Sequence, residues 1–130
     1  MIVKQIYTQC LAQASYYIES DGESVVIDPI RDIDSYVNLL DINNSNLKFI
    51  LETHFHADFI SGHLELNKKY GVPIIFGHNA EPAYDFLGKK DGEIIEVGKV
   101  KIKIIHTPGH TLESVCYLSV SYTRLTLPTI

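Results

Sequence analysis

The run Thr53-His54-Phe55-His56-Ala57-Asp58-Phe59-Ile60-Ser61-Gly62-His63 decides how this chain is read, because it sets two imidazoles and a carboxylate directly behind the apolar run Phe49-Ile50-Leu51. In an extended segment residues i and i+2 point to the same side, so the rings of His54 and His56 can approach one ion. Neutral imidazole is a good ligand for zinc, iron and other borderline first-row ions. Asp58 continues that row and can bind a second ion or orient a water, which makes it the catalytic candidate. The next position holds Phe59, a side chain that cannot bind a metal. A strand that ends in a ligand-rich loop is how a rigid scaffold presents such groups to a cleft.

A distant partner strengthens the pattern. His110 stands in Thr107-Pro108-Gly109-His110-Thr111, where Pro and Gly favour a tight turn. If the strands leading into the two loops are neighbours, its ring comes near the first loop. His54, His56 and His110 are therefore the metal-ligand candidates. His63 is expected to cap, pack or orient a ligand, and His78 and His106 to be structural. Asp28, before Pro29, either hydrogen-bonds the ligand loop or only ends its strand. Cys116 reads as inert core, Ser114 lacks a nucleophile-elbow context, and no glycine-rich phosphate loop is present.

The totals exclude several function classes. A chain of 130 residues is one domain's worth, and a net charge of −5 with 11 basic residues argues against nucleic acid as a partner. No apolar stretch approaches the ~20 residues of a membrane span. The N-terminus shows no charged leader followed by an apolar region, so no secretory signal is expected. Two cysteines, Cys10 and Cys116, make neither a disulfide framework nor a paired-cysteine zinc site, and a reducing cytoplasm is the expected compartment.

Residue patterning predicts strands over 2–8, 13–19 and 24–28, a helix over 33–40 on the apolar spacing Ile33, Val37, Leu40, and a buried strand over 47–52. Ser61 is the predicted N-cap of a second helix reaching Lys69, which Gly71 stops. Short strands follow at 72–76, 93–97, 100–104 and 115–118, with a short helix between His78 and Leu87. Gly98-Lys99 makes a hairpin, and the alternation of Val100 to Ile104 marks a half-exposed strand. Residues 119–130 break the pattern. They are similar to translated adapter read-through and are expected to be a non-native tail, leaving residues 1–118 as the folded part.

The quoted residues resemble the metallo-β-lactamase fold superfamily, whose motif is Thr-His-x-His-x-Asp-His, and Thr107-Pro108-Gly109-His110-Thr111 resembles its next ligand loop. Leu11-Ala12-Gln13-Ala14-Ser15-Tyr16, Val26-Ile27-Asp28-Pro29 and Leu51-Glu52-Thr53-His54 look like the persulfide dioxygenase branch, which includes proteins fused to rhodanese modules. The resemblance covers about residues 3–118 and implies an α/β fold, the N-terminal part of an αββα sandwich with the His loops at one sheet edge. It implies Fe(II) held by His54, His110 and a later aspartate, a facial triad with open positions for oxygen and substrate. His56 and Asp58 then lie beside the ion, as water or second-layer partners. No such aspartate follows here: Glu113 is the last acidic residue and reads as a solvated loop carboxylate. The implied activity is oxidation of glutathione or related persulfides to sulfite, with a small sulfur compound as partner and a rhodanese domain in the full-length protein.

Phe59 departs from the general motif, because the Asp-His pair feeds the second ion of two-metal members. That disfavours, without removing, the alternative of a glyoxalase II-like Zn(II) thioesterase or other metallo-hydrolase. A third reading is a truncated, non-catalytic domain that binds metal weakly.

Overall fold

A computed structural model describes residues 2–8, 13–53, 62–77, 86–107 and 115–120. Alternating side chains build the frame. Strands β1 (Ile2–Thr8), β2 (Gln13–Ser20) and β3 (Glu23–Ile27) run as an antiparallel meander. Helix α1 (Asp34–Asn43) then carries the chain to β4 (Asn46–Leu51), parallel to β3, and α2 (His63–Tyr70) is the helix before β5 (Ile74–Gly77), parallel to β4. With β6 (Leu87–Lys89) these strands form one sheet in the order β1-β2-β3-β4-β5-β6. A second sheet holds β7 (Ile94–Val97), β8 (Val100–His106) and β9 (Val115–Val120), all antiparallel.

Both faces of the larger sheet are buried, which is why its parallel strands read as near-continuous apolar runs. Tyr17, Val26, Ile50, Ile74 and Phe76 face the helices and pack with Tyr36, Leu40 and Leu66. Their chain neighbours Ile18, Val25, Ile27, Leu51 and Ile75 face the smaller sheet and meet Ile95, Val97, Val100, Ile102, Ile104, Val115 and Tyr117. The layers are helix, sheet, sheet, the expected part of an αββα sandwich. Lys101 and Lys103 point away from this core, as the alternation of β8 predicts.

Several local expectations shift. Helix α1 continues to Asn43 and closes at Asn44, whose left-handed φ of 49° ends the hydrogen-bond ladder. Its buried residues are Tyr36 and Leu40, so Tyr36 takes the place predicted for Val37. The N-cap position of α2 is Gly62 and makes no side-chain cap bond; Ser61 lies outside the described residues. Leu87 starts strand β6, and residues 78–85, where a short helix was expected, lie outside the description. Cys116 is half-buried, its Sγ 3.6 Å from Thr107 Oγ1, so it is not core. The reason is parity: Val115 and Tyr117 take the inward positions of β9. That strand runs past the boundary expected at 118, with Ser119 opposite Ile102 and Val120 opposite Lys101. Residues 121–130 lie outside the described set.

Two glycines are required by contact. Gly98, at φ 54°, sits where a Cβ would stand 2.0 Å from Ser20 O. Its N–H donates to Glu23 Oε1 at 2.8 Å and Lys99 N–H to Ser20 Oγ at 3.1 Å, docking the β7–β8 hairpin on the β2–β3 turn. Gly62 donates to Pro29 O at 3.0 Å, and a Cβ there would fall 2.2 Å from Ile30 O. Gly62→Ala is accordingly expected to lower stability by about 1–3 kcal/mol through overpacking against backbone. Urea denaturation checks this, with an unchanged midpoint as the contrary result.

Candidate metal centre

His54, His56, Asp58, Phe59 and His110 lie outside the described residues, as does His78. What the structure describes is the frame from which their segments leave. Loops follow the C-terminal ends of parallel strands, where open α/β sheets place their sites. Here Asp28 follows the end of β3 and Thr53 lies two residues past the end of β4, β5 ends at Gly77, and β8 and β9 bring Thr107 and Val115 to the second loop. Val115 N–H donates to Thr53 O at 2.8 Å. The end of the His110 segment is thus hydrogen-bonded to the residue that precedes His54. The neighbourhood that the sequence required of the two loops is present in the residues flanking them.

Thr53 is fixed on every side. Asp28 is 5% exposed, and its two carboxylate oxygens accept from Thr53 N–H at 2.8 Å and Thr53 Oγ1–H at 2.6 Å. Such charge-assisted bonds are the short, strong class. Asp28 N–H in turn donates to Leu51 O at 2.9 Å. Its φ of 50° lies in the left-handed region, which Asp tolerates better than most side chains and which turns its carboxylate across to β4. Of the two readings open for Asp28, the structure shows it hydrogen-bonded to Thr53, the residue before His54, and not merely ending its strand.

Glu52, one position earlier, is 1% exposed. Its N–H donates to Ile75 O at 2.9 Å, its carbonyl accepts from the Tyr117 hydroxyl at 2.7 Å, and its Oε1 stands 3.0 Å from His63 Nδ1. The His63 ring meets Phe76 edge-on, 6.4 Å between centroids. Behind Asp28, the Tyr36 hydroxyl hydrogen-bonds Ser15 Oγ and accepts from Ile30 N–H at 2.8 Å. His106 is structural, as expected: its N–H donates to Asp91 Oδ1 at 2.8 Å and its Nε2 lies 3.0 Å from Lys89 O.

The sequence assigns no role to Tyr117 or Tyr36, and Ser15 and Glu52 stand in it only as members of the quoted motifs. For Glu52 a signal existed, a charged residue closing the apolar run Phe49-Ile50-Leu51. For Tyr117 none did, because an inward tyrosine in β9 looks like any core aromatic.

Burial raises the Tyr117 hydroxyl well above its ordinary value of 10.0, and the charges of Asp28 and Glu52 add to that. Burial likewise raises Tyr36, against the hydrogen bonds from Ser15 and Ile30. Both hydroxyls therefore stay protonated in the folded state at pH values where the unfolded chain has lost those protons. Stability is fully present below pH ~10 and falls as pH rises beyond it, by up to about 1.4 kcal/mol per pH unit for each tyrosine. Urea midpoints at pH 8, 10 and 11 are expected to decline, and less steeply in Tyr117→Phe; an equal decline would contradict the assignment.

Among the described residues no three His, Cys, Asp or Glu side chains gather as a metal site. The donors named from the sequence belong to the segments between those residues. Imidazole and carboxylate are nonetheless the donor types that iron and zinc take. The Val115 N–H bond to Thr53 O brings together the ends of the two segments that carry them.

Comparison with known proteins agrees with this frame. The profile of the Metallo-beta-lactamase superfamily matches residues 8–124. A hydroxyacylglutathione hydrolase of Pelagibacter ubique is 36% identical over 109 residues, which are 79% of this chain and 44% of that protein. The crystal structure of a metallo-beta-lactamase from Staphylococcus aureus subsp. aureus COL is 34% identical, with a TM-score of 0.86 over 100% of this chain and 41% of that one. The ETHE1 structure from Myxococcus xanthus shares the fold at a TM-score of 0.84, with 24% identity over 92% of this chain and 54% of that one. The chain thus spans less than half the length of the hydrolase it matches.

Proposed function

The chain belongs to the metallo-beta-lactamase superfamily, and from that premise we propose that it forms part of a metal-dependent enzyme oxidising glutathione persulfide or a related persulfide at a single iron. Phe59 carries this reading. In the two-metal pattern the residue after the motif aspartate ligates the second ion, and a benzyl side chain has no atom to offer. His54 and His110, with a carboxylate from the rest of the enzyme, would form the donor set that suits ferrous iron and leaves positions open. When bound, the iron would supply the oxygen chemistry that no side chain supplies. The chain's own residues bind and orient: Asp28 holds Thr53, the Tyr117 hydroxyl and Ile75 hold Glu52, and Val115 ties the second ligand segment to the first. Among the described residues no helix is long and apolar enough to cross a membrane.

A hydrolytic reading, a zinc-activated water attacking a glutathione thioester, is favoured by one observation, the name carried by the similar Pelagibacter protein. Anaerobic loading with Fe(II), followed by oxygen-electrode recording with glutathione persulfide, separates the two. Oxygen uptake proportional to bound iron is the expected result. Zinc-dependent thiol release from an acyl-glutathione, with no oxygen uptake by the iron-loaded protein, would overturn the proposal in favour of the hydrolase.

A further inference from the structure

We propose that Glu52 and His63 are a positioning pair for the metal ligands that lie between them in the chain, a role that rests on the metal-centre reading above. Glu52 is two residues before His54, and His63 is the first residue of α2, following Gly62. Their side chains meet at 3.0 Å, with Glu52 1% and His63 14% exposed. Desolvating a carboxylate at that depth costs several kcal/mol, and apolar residues of similar size would serve folding as well or better. The pair therefore contributes geometry more than stability.

That geometry is the join between the end of β4 and the start of α2. Glu52 belongs to the strand frame, since Ile75 O and the Tyr117 hydroxyl take up its N–H and carbonyl. His63 belongs to the helix layer, where its ring rests on Phe76 and, next to it, Gly62 N–H donates to Pro29 O. The Glu52–His63 contact bridges the two layers across the base of residues 54–61. Holding the two ends of a ligand-bearing segment at fixed separation removes chain entropy that metal binding would otherwise have to remove. The pair lies where a carboxylate at the N-terminal end of a helix is also favoured by the helix dipole. The pair acts through the backbone that it sets.

Co(II) affinity of the 130-residue chain, measured by chelator competition together with the Co(II) absorption spectrum, tests this. Glu52→Gln and His63→Leu are expected to weaken Co(II) by about 10- to 100-fold and to change the spectrum. His63→Asn, whose amide nitrogen can take the place of Nδ1, is expected to restore most of the loss. The double variant Glu52→Gln/His63→Leu should cost little more than either change alone, as two parts of one contact do. Wild-type affinity in folded Glu52→Gln, or no rescue by His63→Asn, overturns the proposal. Failure of both Glu52→Gln and His63→Asn to fold also overturns it, since the pair would then be a folding requirement. If the wild-type chain itself takes up no Co(II), the metal-centre reading fails, and amide exchange of the metal-free chain judges the pair. The pair then predicts faster exchange across residues 54–61 in Glu52→Gln, with β3 and β8 unchanged. No change there, or the same change everywhere, counts against it.

Discussion

Asp28→Ala is expected to lower stability by about 2–4 kcal/mol and metal affinity by about 10- to 100-fold, the combined effect of losing a buried acceptor and an orienting contact. Both carboxylate oxygens of Asp28 are occupied by Thr53, so truncation leaves the Thr53 N–H and hydroxyl without their acceptors beside a packed core. A second cost comes from the backbone: at φ 50° an alanine sits in the left-handed region, about 1–2 kcal/mol above its preferred one. Asp28→Asn separates these contributions. Asn tolerates the same φ and keeps one oxygen for Thr53 N–H, but its amide nitrogen turns the Thr53 hydroxyl from donor to acceptor and the charge assistance is lost. It should therefore fall between wild type and Asp28→Ala in urea midpoint and in metal affinity. An Asp28→Ala protein with wild-type midpoint and wild-type metal affinity would remove Asp28 from the site.

His54→Ala and His110→Ala should each weaken metal binding on the order of 100-fold or more, beyond the usual range for loss of an orienting partner. The informative comparison is with His56→Ala. In the one-iron reading His56 stands beside the ion, and its loss should cost much less than that of His54. In a zinc hydrolase that uses both histidines of the motif, the three substitutions should be equally severe. Chelator competition with Fe(II) and Zn(II) on the three variants reads this directly, and equal losses would argue for the hydrolytic reading.

Particular residues show how far the sequence could be read. The alternation of Val100 to Ile104 and the Gly98-Lys99 turn were legible because a strand's period and a hairpin's turn are local properties. The run Asn43-Asn44-Ser45-Asn46 marks the end of α1, but which Asn takes the left-handed turn is not legible from composition; it is Asn44. Tyr36 was passed over for Val37 because the buried side of a short helix depends on which sheet positions it meets. Cys116 was assigned to the core because an apolar strand does not announce which of its faces is covered.

The superfamily and the departure at Phe59 were legible in the amino-acid sequence alone, since these depend on residue type and short spacing. Only the tertiary structure shows that Val115 closes on Thr53, that the Tyr117 hydroxyl reaches Glu52, and that Asp28 holds Thr53 rather than merely ending a strand. Those contacts join residues 62, 65 and 25 positions apart. They arise from sheet register and the stacking of two sheets, to which distant segments contribute jointly, so no local pattern in the chain encodes them.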